Sequence, residues 1–326
     1  MEPSADMKPR MSVVVPAFLG YDTVLAALDS WEAQTCRRQL EIIVLCPTRP
    51  SYPLPHGQIL VETGSLLLHE ARAAGVRKAT ASYVIFAEDH CLPDPDCAEA
   101  MLHRLEEGWD AVGPALRSGN PHGAITQGCF LITYAEWMLP TCGPVSYLPG
   151  HNAALQRQAL IDIGPELEDE LLAPIFLMRR LRSEGRRFFV EDQARMRHFD
   201  VADWKKSIRI FFTVGQGCGA SRLRQASVFT RGLYAAIAPI TAARHFARGL
   251  VHYLRAGQRA GFSPQSLVTA GFFACVWACG ESAGAWKGTA RVSPGLWIGE
   301  IKPVSREQQE ESTLPAPTPA PAASSS

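Results

Sequence analysis

A chain of 326 residues is long enough for two domains, or for one large domain with an appendage. Its 47% hydrophobic and 20% charged residues exclude a chain disordered throughout, and 32 Lys plus Arg against 32 Asp plus Glu leave no bulk positive field, so no nucleic-acid partner is expected. Nine scattered cysteines without a CxxC pair fit a reducing compartment, and MEPSADMKPRM lacks the apolar run of a signal peptide, so a cytoplasmic location is expected.

From Met11 on, short β-branched runs alternate with longer amphipathic stretches, the pattern of βαβ units around a parallel sheet. Strands are predicted at residues 12–17 (SVVVPA), 41–45 (EIIVL), 59–62 and 83–87 (YVIFA). Asp22 is expected to cap a helix reaching about residue 34, with Leu25, Leu28 and Trp31 on one face, and residues 65–79 to form the helix before YVIFA. Ligands of such sheets bind outside the carboxyl ends of the strands. A Gly/Pro-rich stretch at 113–123 precedes a helix signal at 152–163. Pro174 is expected to open the next helix, carrying Phe176, Leu177, Arg180 and Leu181 towards Gly185 and leaving the acids before it in a loop. Residues 204–259 hold ten Lys or Arg among apolar stretches. The uncharged run 265–280 is shorter than the roughly 18–20 residues of a spanning helix and reads as a buried or interfacial one. Residues 303–326, rich in Pro, Ser and Ala, are expected to be disordered.

Two motif matches lack their chemistry. GESAG at 280–284 fits a serine-hydrolase elbow, but that fold places its His after the Ser, and the last His here is His252; small residues for helix packing explain it better. Gly215, Gly217 and Ala220 match a dinucleotide fingerprint without the acid expected about 20 residues on, which suggests a turn or hinge. Cys275 and Cys279 have a helical spacing that suits packing rather than zinc.

After YVIFA come Glu88, Asp89 and His90, then Asp94, a set of hard and borderline metal ligands at the end of a buried strand. A divalent cation bridging a diphosphate would sit there, since oxygen ligands suit Mg²⁺ or Mn²⁺ and the metal offsets phosphate charge. The alternative is an exposed acidic turn after a strand.

The order of segments around this cluster resembles the family 2 nucleotide-sugar glycosyltransferases, which have a GT-A fold. SVVVPAFLG is similar to their opening SVVIPTYN, and LDSWEAQTCRRQLEIIVL to a helix ending in LxQxxxxxEIIVV. EARAAGVRKATASYVIFAEDHCLPDP resembles the ARNxGIxxAxGEYIxFLDDDDxxxP stretch that carries the metal-binding DxD. PGHNAALQRQALIDIG resembles the acceptor-side GxNxAFRRxALxxxGG, and ELEDELLAPIFLMRRLRSEGRRFFVEDQARMRH resembles ED…RLRxxGYRIxxxPxAxxxH. The match runs over about residues 11–200.

The resemblance implies an α/β fold with a mostly parallel central sheet flanked by helices, and a role for each matched position. Pro16, Ala17, Phe18, Leu19 and Cys46 would line the nucleobase pocket, and Arg72 would approach the nucleotide. Glu88, Asp89 and His90 would hold the divalent metal and the diphosphate, with His198 beside them, since imidazole ligates Mn²⁺. His151 and Asn152 would lie on the acceptor side. Asp169, flanked by Glu168 and Glu170, would be the base of an inverting transfer from a nucleotide-sugar donor to a hydroxyl of a glycan or lipid-linked acceptor. The chain departs from the family in three ways. Cys46 and Pro47 stand where an Asp follows EIIVV, His90 stands where the last Asp of DxD belongs, and the acids at 168–170 lie farther from Arg180 and Leu181 than the family's pair. Other roles stay open: Arg72 as a helix-surface charge, His151 and Asn152 as helix caps, His198 as a core histidine, and Cys46 as a buried hydrophobe.

The expected organisation is a GT-A domain at 8–200, a basic helical C-terminal region at 201–302 that rests on an anionic membrane surface at its cytoplasmic face, and the tail at 303–326. The alternative function is a non-catalytic sugar-nucleotide or glycan-binding protein with a degenerate DxD. A nucleotidyltransferase ranks below both, because FLGYDT is a poor phosphate loop.

Overall fold

The structure, a computed structural model, describes residues 8–287 apart from 56, 121, 173 and 224. The expected tail and residues 288–302 of the basic region lie outside the described residues.

Strand β1 (Met11–Pro16) and helix α1 (Leu25–Glu32) open the fold, followed by β2 (Leu40–Cys46), β3 (Gln58–Glu62), α2 (Leu68–Lys78) and β4 (Tyr83–Phe86). Every residue of β1 and β2 is buried, as a parallel sheet covered on both faces requires, which is why both strands read as continuous apolar runs. The polar exceptions, Ser12 and Glu41, pair with each other, and Glu41 also accepts from the backbone N–H and hydroxyl of Thr80. Asp22 does not cap α1: it lies inside a 3₁₀ turn, Tyr21–Val24, whose N-cap is Gly20 at φ 110°. Glycine alone enters that turn without a side-chain penalty.

The chain continues through β5 (Cys91–Pro93), α3 (Cys97–Glu106), β6 (Ala111–Ser118), α4 (Ala124–Thr133), β7 (Gly143–Val145), β8 (Ala154–Gln156), α5 (Arg157–Ile161), α6 (Leu167–Leu172), α7 (Pro174–Ser183) and β9 (Phe188–His198). The sheet order is β3-β2-β1-β4-β8-β6-β9-β5, with β7 on β9. The long ladders, β1 with β2 and β4, β2 with β3, and β6 with β9, are parallel, and the short ones to β5, β7 and β8 are antiparallel. The fold is therefore α/β with a mostly parallel sheet flanked by helices. Pro174 does open α7, and Gly185 ends its turn at φ 85°. The acids before it sit on α6 rather than in a loop. The helix expected over 152–163 is shorter than its apolar pattern suggested: residues 154–156 pair with β4 and β6, and only Arg157–Ile161 is helical.

Four helices close the described residues: α8 (Trp204–Arg222), α9 (Val228–Ala236), α10 (Ala238–His252), extended by a π turn, and α11 (Gln265–Lys287). Helix α11 is 23 residues, longer than the uncharged run, because Glu281 and Lys287 fall within it. It is long and apolar enough to cross a membrane by length and composition, yet 44% of its most apolar stretch is buried in the protein. It lies backbone to backbone on α8. A Cβ at Gly215 would fall 2.2 Å from the Trp277 carbonyl oxygen, at Gly219 2.0 Å from that of Glu281, at Gly280 2.1 Å from that of Phe212 and at Gly284 2.0 Å from that of Gln216. Both rejected motifs thus resolve into one crossing of small residues, and the expected hinge at Gly215–Ala220 is instead the middle of a helix. Further along, the Thr269 hydroxyl donates to the Ala124 carbonyl at 2.5 Å, docking α11 on α4. Phe211, Phe262 and Phe273 join the same apolar core as Phe86 and Phe188, so core packing crosses residue 200.

Candidate functional site

The carboxyl ends of neighbouring strands β2, β1 and β4 carry the residues expected at the donor side. Pro16 and Ala17 are buried, with Ala17 N–H donating to the Leu45 carbonyl at 2.8 Å; Phe18 is half-buried, Leu19 is exposed and Cys46 is buried. Arg72 is buried on α2 with its guanidinium 5.9 Å from the Phe86 ring centre and its Nε without a hydrogen-bond partner. Burial lowers its pKa, and Glu88 is the main group opposing that, so Arg72 faces the cluster and is no surface charge.

Sheet register builds the cluster. Pairing of β5 with β9 sets Cys91 opposite His198, and Phe199 N–H donates to the His90 carbonyl at 3.0 Å, so two histidines far apart in sequence meet with ring centres 4.7 Å apart. From the other side, Asn152 N–H donates to the Phe86 carbonyl at 2.7 Å. Asn152 is no helix cap. It is fully buried at φ 59°, a left-handed conformation that Asn tolerates, and its Nδ2 donates to Glu88 Oε2 at 2.6 Å while its Oδ1 accepts from Glu88 N–H at 3.2 Å. His151 Nε2 lies 3.6 Å from Glu88 Oε1 and His198 Nε2 3.8 Å from Glu88 Oε2. Sequence reasoning missed two members: Tyr134, whose hydroxyl donates to Glu88 at 3.4 Å and whose ring packs 4.1 Å from His198, and Asp200, which accepts from His198 Nδ1 at 3.2 Å. Asp200 stands two residues after His198, a carboxylate beside a histidine that could have marked it.

Burial opposes ionisation of Glu88, but His151, His90, His198 and Arg72 outweigh it and hold the carboxyl well below the usual range. Burial likewise opposes protonation of His90, yet Glu88 and Asp89 raise it to about 9, whereas burial drops His151 to about 4. Each of His90 and His198 thus has a carboxylate on Nδ1, Asp89 at 2.7 Å and Asp200 at 3.2 Å. Ligand atoms of Glu88, His90 and His198 lie within 4.8 Å of one another. The buried His198 Nε2 has no hydrogen-bond partner, an orphan that a cation would satisfy. These residues fit a divalent metal. Asp89 joins the cluster through His90.

The cluster opens into a cavity of about 750 Å³ walled by α4, the 146–151 loop, α7, α8, α10 and α11. Glu88, His90, His151, His198 and Asp200 line it; Pro16 to Leu19, Cys46 and Arg72 do not. Nor do Glu168, Asp169 and Glu170. Glu168 accepts from Arg77 at 2.9 Å, Glu170 from Arg180 at 3.3 Å, and Asp169 is exposed, while the wall beyond α6 is Leu172, Pro174 and Ile175.

The model of the family described as Glycosyl transferase family 2 matches residues 55–164. Residues 55–164 belong to glycosyl transferase family 2. This family 2 segment runs from just before β3 to the end of α5 and contains Arg72, Glu88, Asp89, His90, His151 and Asn152. Among solved structures, S. aureus TarS is similar at 13% identity over 80% of this chain and 55% of that one, with a TM-score of 0.47. Its fragment 1–349 is similar at 13% identity over 81% of this chain and 90% of that one, with a TM-score of 0.45. The chain thus spans about half the length of the full TarS chain. No curated protein matches the chain.

Proposed function

We propose that the protein is a metal-dependent glycosyltransferase that moves a sugar from a nucleotide-diphosphate donor to a hydroxyl of a glycan or lipid-linked acceptor, with inversion. The observation that carries it is the cluster of Glu88 and His90, which follow β4 within the family 2 segment, with His198 at the end of β9, facing a cavity. Pro16, Ala17, Phe18, Leu19, Cys46 and Arg72 form the donor side, at the strand ends where α/β sheets bind ligands. Glu88, His90 and His198 hold the cation, and Asp89 and Asp200 orient the two rings. When bound, the cation supplies charge to the departing diphosphate. Two imidazoles favour Mn²⁺ over Mg²⁺.

In the transfer, the bond from the anomeric carbon to the diphosphate oxygen breaks, the acceptor oxygen bonds to that carbon from the opposite face, and the acceptor proton passes to a carboxylate. Of the three carboxylates on the cavity wall, Glu281 is tied to Arg222 at 3.0 Å and Glu88 belongs to the metal cluster, so the proton falls to Asp200. His151 and Asn152 stand on the acceptor side of Glu88. We also place the protein on the cytoplasmic face of a membrane, because Val228 and Phe229 of α9 and Ile240 of α10 are largely exposed beside basic residues.

The test is thermal denaturation with UDP-, GDP-, dTDP- and CMP-sugars, with and without Mn²⁺, since a ligand of the folded state raises its stability. A metal-dependent rise with one nucleotide, lost in His198→Ala and kept in Asp169→Ala, is expected. No rise with any donor would overturn the transferase reading in favour of a glycan-binding role.

A further inference from the structure

The cavity has a second pole. Away from Glu88 and His90 it is closed by α7, α8, α10 and α11, and there it is cationic: Arg179, Arg182, Arg222, Arg244 and Arg248 line the cavity against only Glu88, Asp200 and Glu281. Glu281 neutralises Arg222, and Arg248 lies 3.8 Å from Glu136, but Arg179, Arg182 and Arg244 make no ion pair among the described residues. All five arginines line the same cavity. Arg222 and Arg179 both act on the Cys218 thiol, and Glu281 bridges Arg222 on α8 to His245 on α10, 3.7 Å away.

Guanidinium forks suit phosphate oxygens, to which they donate in pairs. The donor's base and ribose have their own place, since Pro16 to Leu19, Cys46 and Arg72 do not line this cavity, and its diphosphate would lie at the Glu88, His90 and His198 pole, away from these arginines. Between the poles the wall is apolar, with Ile132, Trp137, Leu148, Ile175 and Phe211. A volume of about 750 Å³ admits a small head group but no long chain. Helix α10, which presents Arg244 and Arg248 to the cavity, also leaves Ile240 and Leu254 60% or more exposed, and Leu233 of α9 is equally exposed. Moving outward from the metal cluster, the sequence of surfaces is therefore apolar cavity wall, arginines, then apolar helix face.

We propose that the acceptor is lipid-linked and carries a phosphate that Arg179, Arg182 and Arg244 hold, with its hydroxyl end towards Glu88 and its chain leaving over α9 and α10. The assignment rests on the transferase reading and names its acceptor class.

The test titrates the full chain, without metal, with farnesyl diphosphate below its micelle concentration, and with farnesol and inorganic diphosphate alongside. The readout is fluorescence of Trp137 and Trp277, which line the cavity. Farnesyl diphosphate is expected to bind at least about tenfold more tightly than either half alone, and Arg179→Gln or Arg244→Gln to weaken it about tenfold, as the loss of one charge-assisted contact does. Both arginines are exposed, so the variants keep the fold, which circular dichroism checks. Inorganic diphosphate binding as tightly would leave a plain anion site, farnesol binding as tightly a plain apolar one, and either overturns the proposal, as does an undiminished affinity in both variants. The same protein is titrated with Mn²⁺ and nucleotide sugars. Nucleotide binding without farnesyl diphosphate binding removes this inference alone; arginine-dependent binding of farnesyl diphosphate without any nucleotide binding leaves a lipid-phosphate site but removes the transferase reading, and with it the assignment of that lipid as an acceptor.

Discussion

Asn152 is the residue on which the cluster's geometry most depends, and its replacement has a calculable cost. Asn152→Ala deletes a charge-assisted bond to the Glu88 carboxylate at 2.6 Å, worth about 1.5–3 kcal/mol, and the acceptor of Glu88 N–H at 3.2 Å, worth about 0.5–1.5 kcal/mol. It also forces alanine into a left-handed conformation at φ 59°, which adds about 1 kcal/mol. The site is fully buried, so water does not replace either partner. A destabilisation of about 3–5.5 kcal/mol is expected. Asn152→Gly loses the same bonds but accepts the backbone, and should cost about 1 kcal/mol less than alanine. Asn152→Asp keeps the shape but sets a second carboxylate against Glu88, and should be no milder than alanine at neutral pH. Urea unfolding, with unchanged slope, reads all three. A loss below about 1 kcal/mol for alanine, or glycine more harmful than alanine, would refute this account of Asn152.

Other substitutions separate packing from chemistry. Gly215→Ala and Gly284→Ala should each destabilise by about 1–3 kcal/mol, because the added methyl meets carbonyl oxygens across the α8–α11 crossing. Gly271→Ala in the same helix α11, where the methyl meets only the Phe246 ring at 3.4 Å, should be neutral or stabilising by up to about 1 kcal/mol in the same unfolding assay. Glu281 is held ionised against burial by His245, Arg222 and Trp277, with Tyr234 also donating to it. A carboxyl depressed in the folded state stabilises fully above its unfolded value of 4.5, and that stabilisation is lost as pH falls through the lower folded pKa. Glu281→Gln should therefore lower stability by about 1–3 kcal/mol between pH 5 and 7, and the gap to the parent should close below about pH 4.5.

Much of this was legible because it is local. Apolar runs such as EIIVL and YVIFA mark buried parallel strands whichever partner they find, and Pro174 opens a helix wherever the chain carries it. Glu88 and His90 announce themselves by following such a strand. What was not legible depends on register. Nothing in FFVEDQARMRH says that His198 will lie opposite Cys91, or that beyond a register shift against β6 the second half of β9 pairs with β5 on its other edge while the first half pairs with β7. Asn152 looked like a helix cap because ALQRQALI is apolar at helical spacing, but pairing of β8 with β4 claims its first residues and turns Asn152 onto Glu88. The glycines of GESAG and GQGCGA matched catalytic and cofactor motifs because close backbone approach has the same sequence requirement whether the neighbour is a ligand or a helix.

The three acids at 168–170 mark where family resemblance and geometry part. Helix α6 ends at Leu172 and α7 starts at Pro174, whose ring fills the space a side chain on Gly150 would need: a Cβ there would fall 1.7 Å from Pro174 Cβ. That contact seats Leu172, Pro174 and Ile175 on the cavity wall and leaves the acids one turn earlier, against α2, where Arg77 holds Glu168. A base must lie within about 3 Å of the proton it removes, directly or through one water. Asp200 meets the cavity and the acids of α6 do not, so once an acceptor is in hand, Asp200→Asn should lower turnover by about 10²–10⁴-fold while Asp169→Asn changes it by less than about threefold. Because Asp200 also orients His198, Mn²⁺ affinity is measured in both variants: a base acts on turnover beyond any metal loss, and saturating Mn²⁺ should not restore Asp200→Asn. Rescue by Mn²⁺ would confine Asp200 to positioning, and a collapse of turnover in Asp169→Asn would return the base to α6.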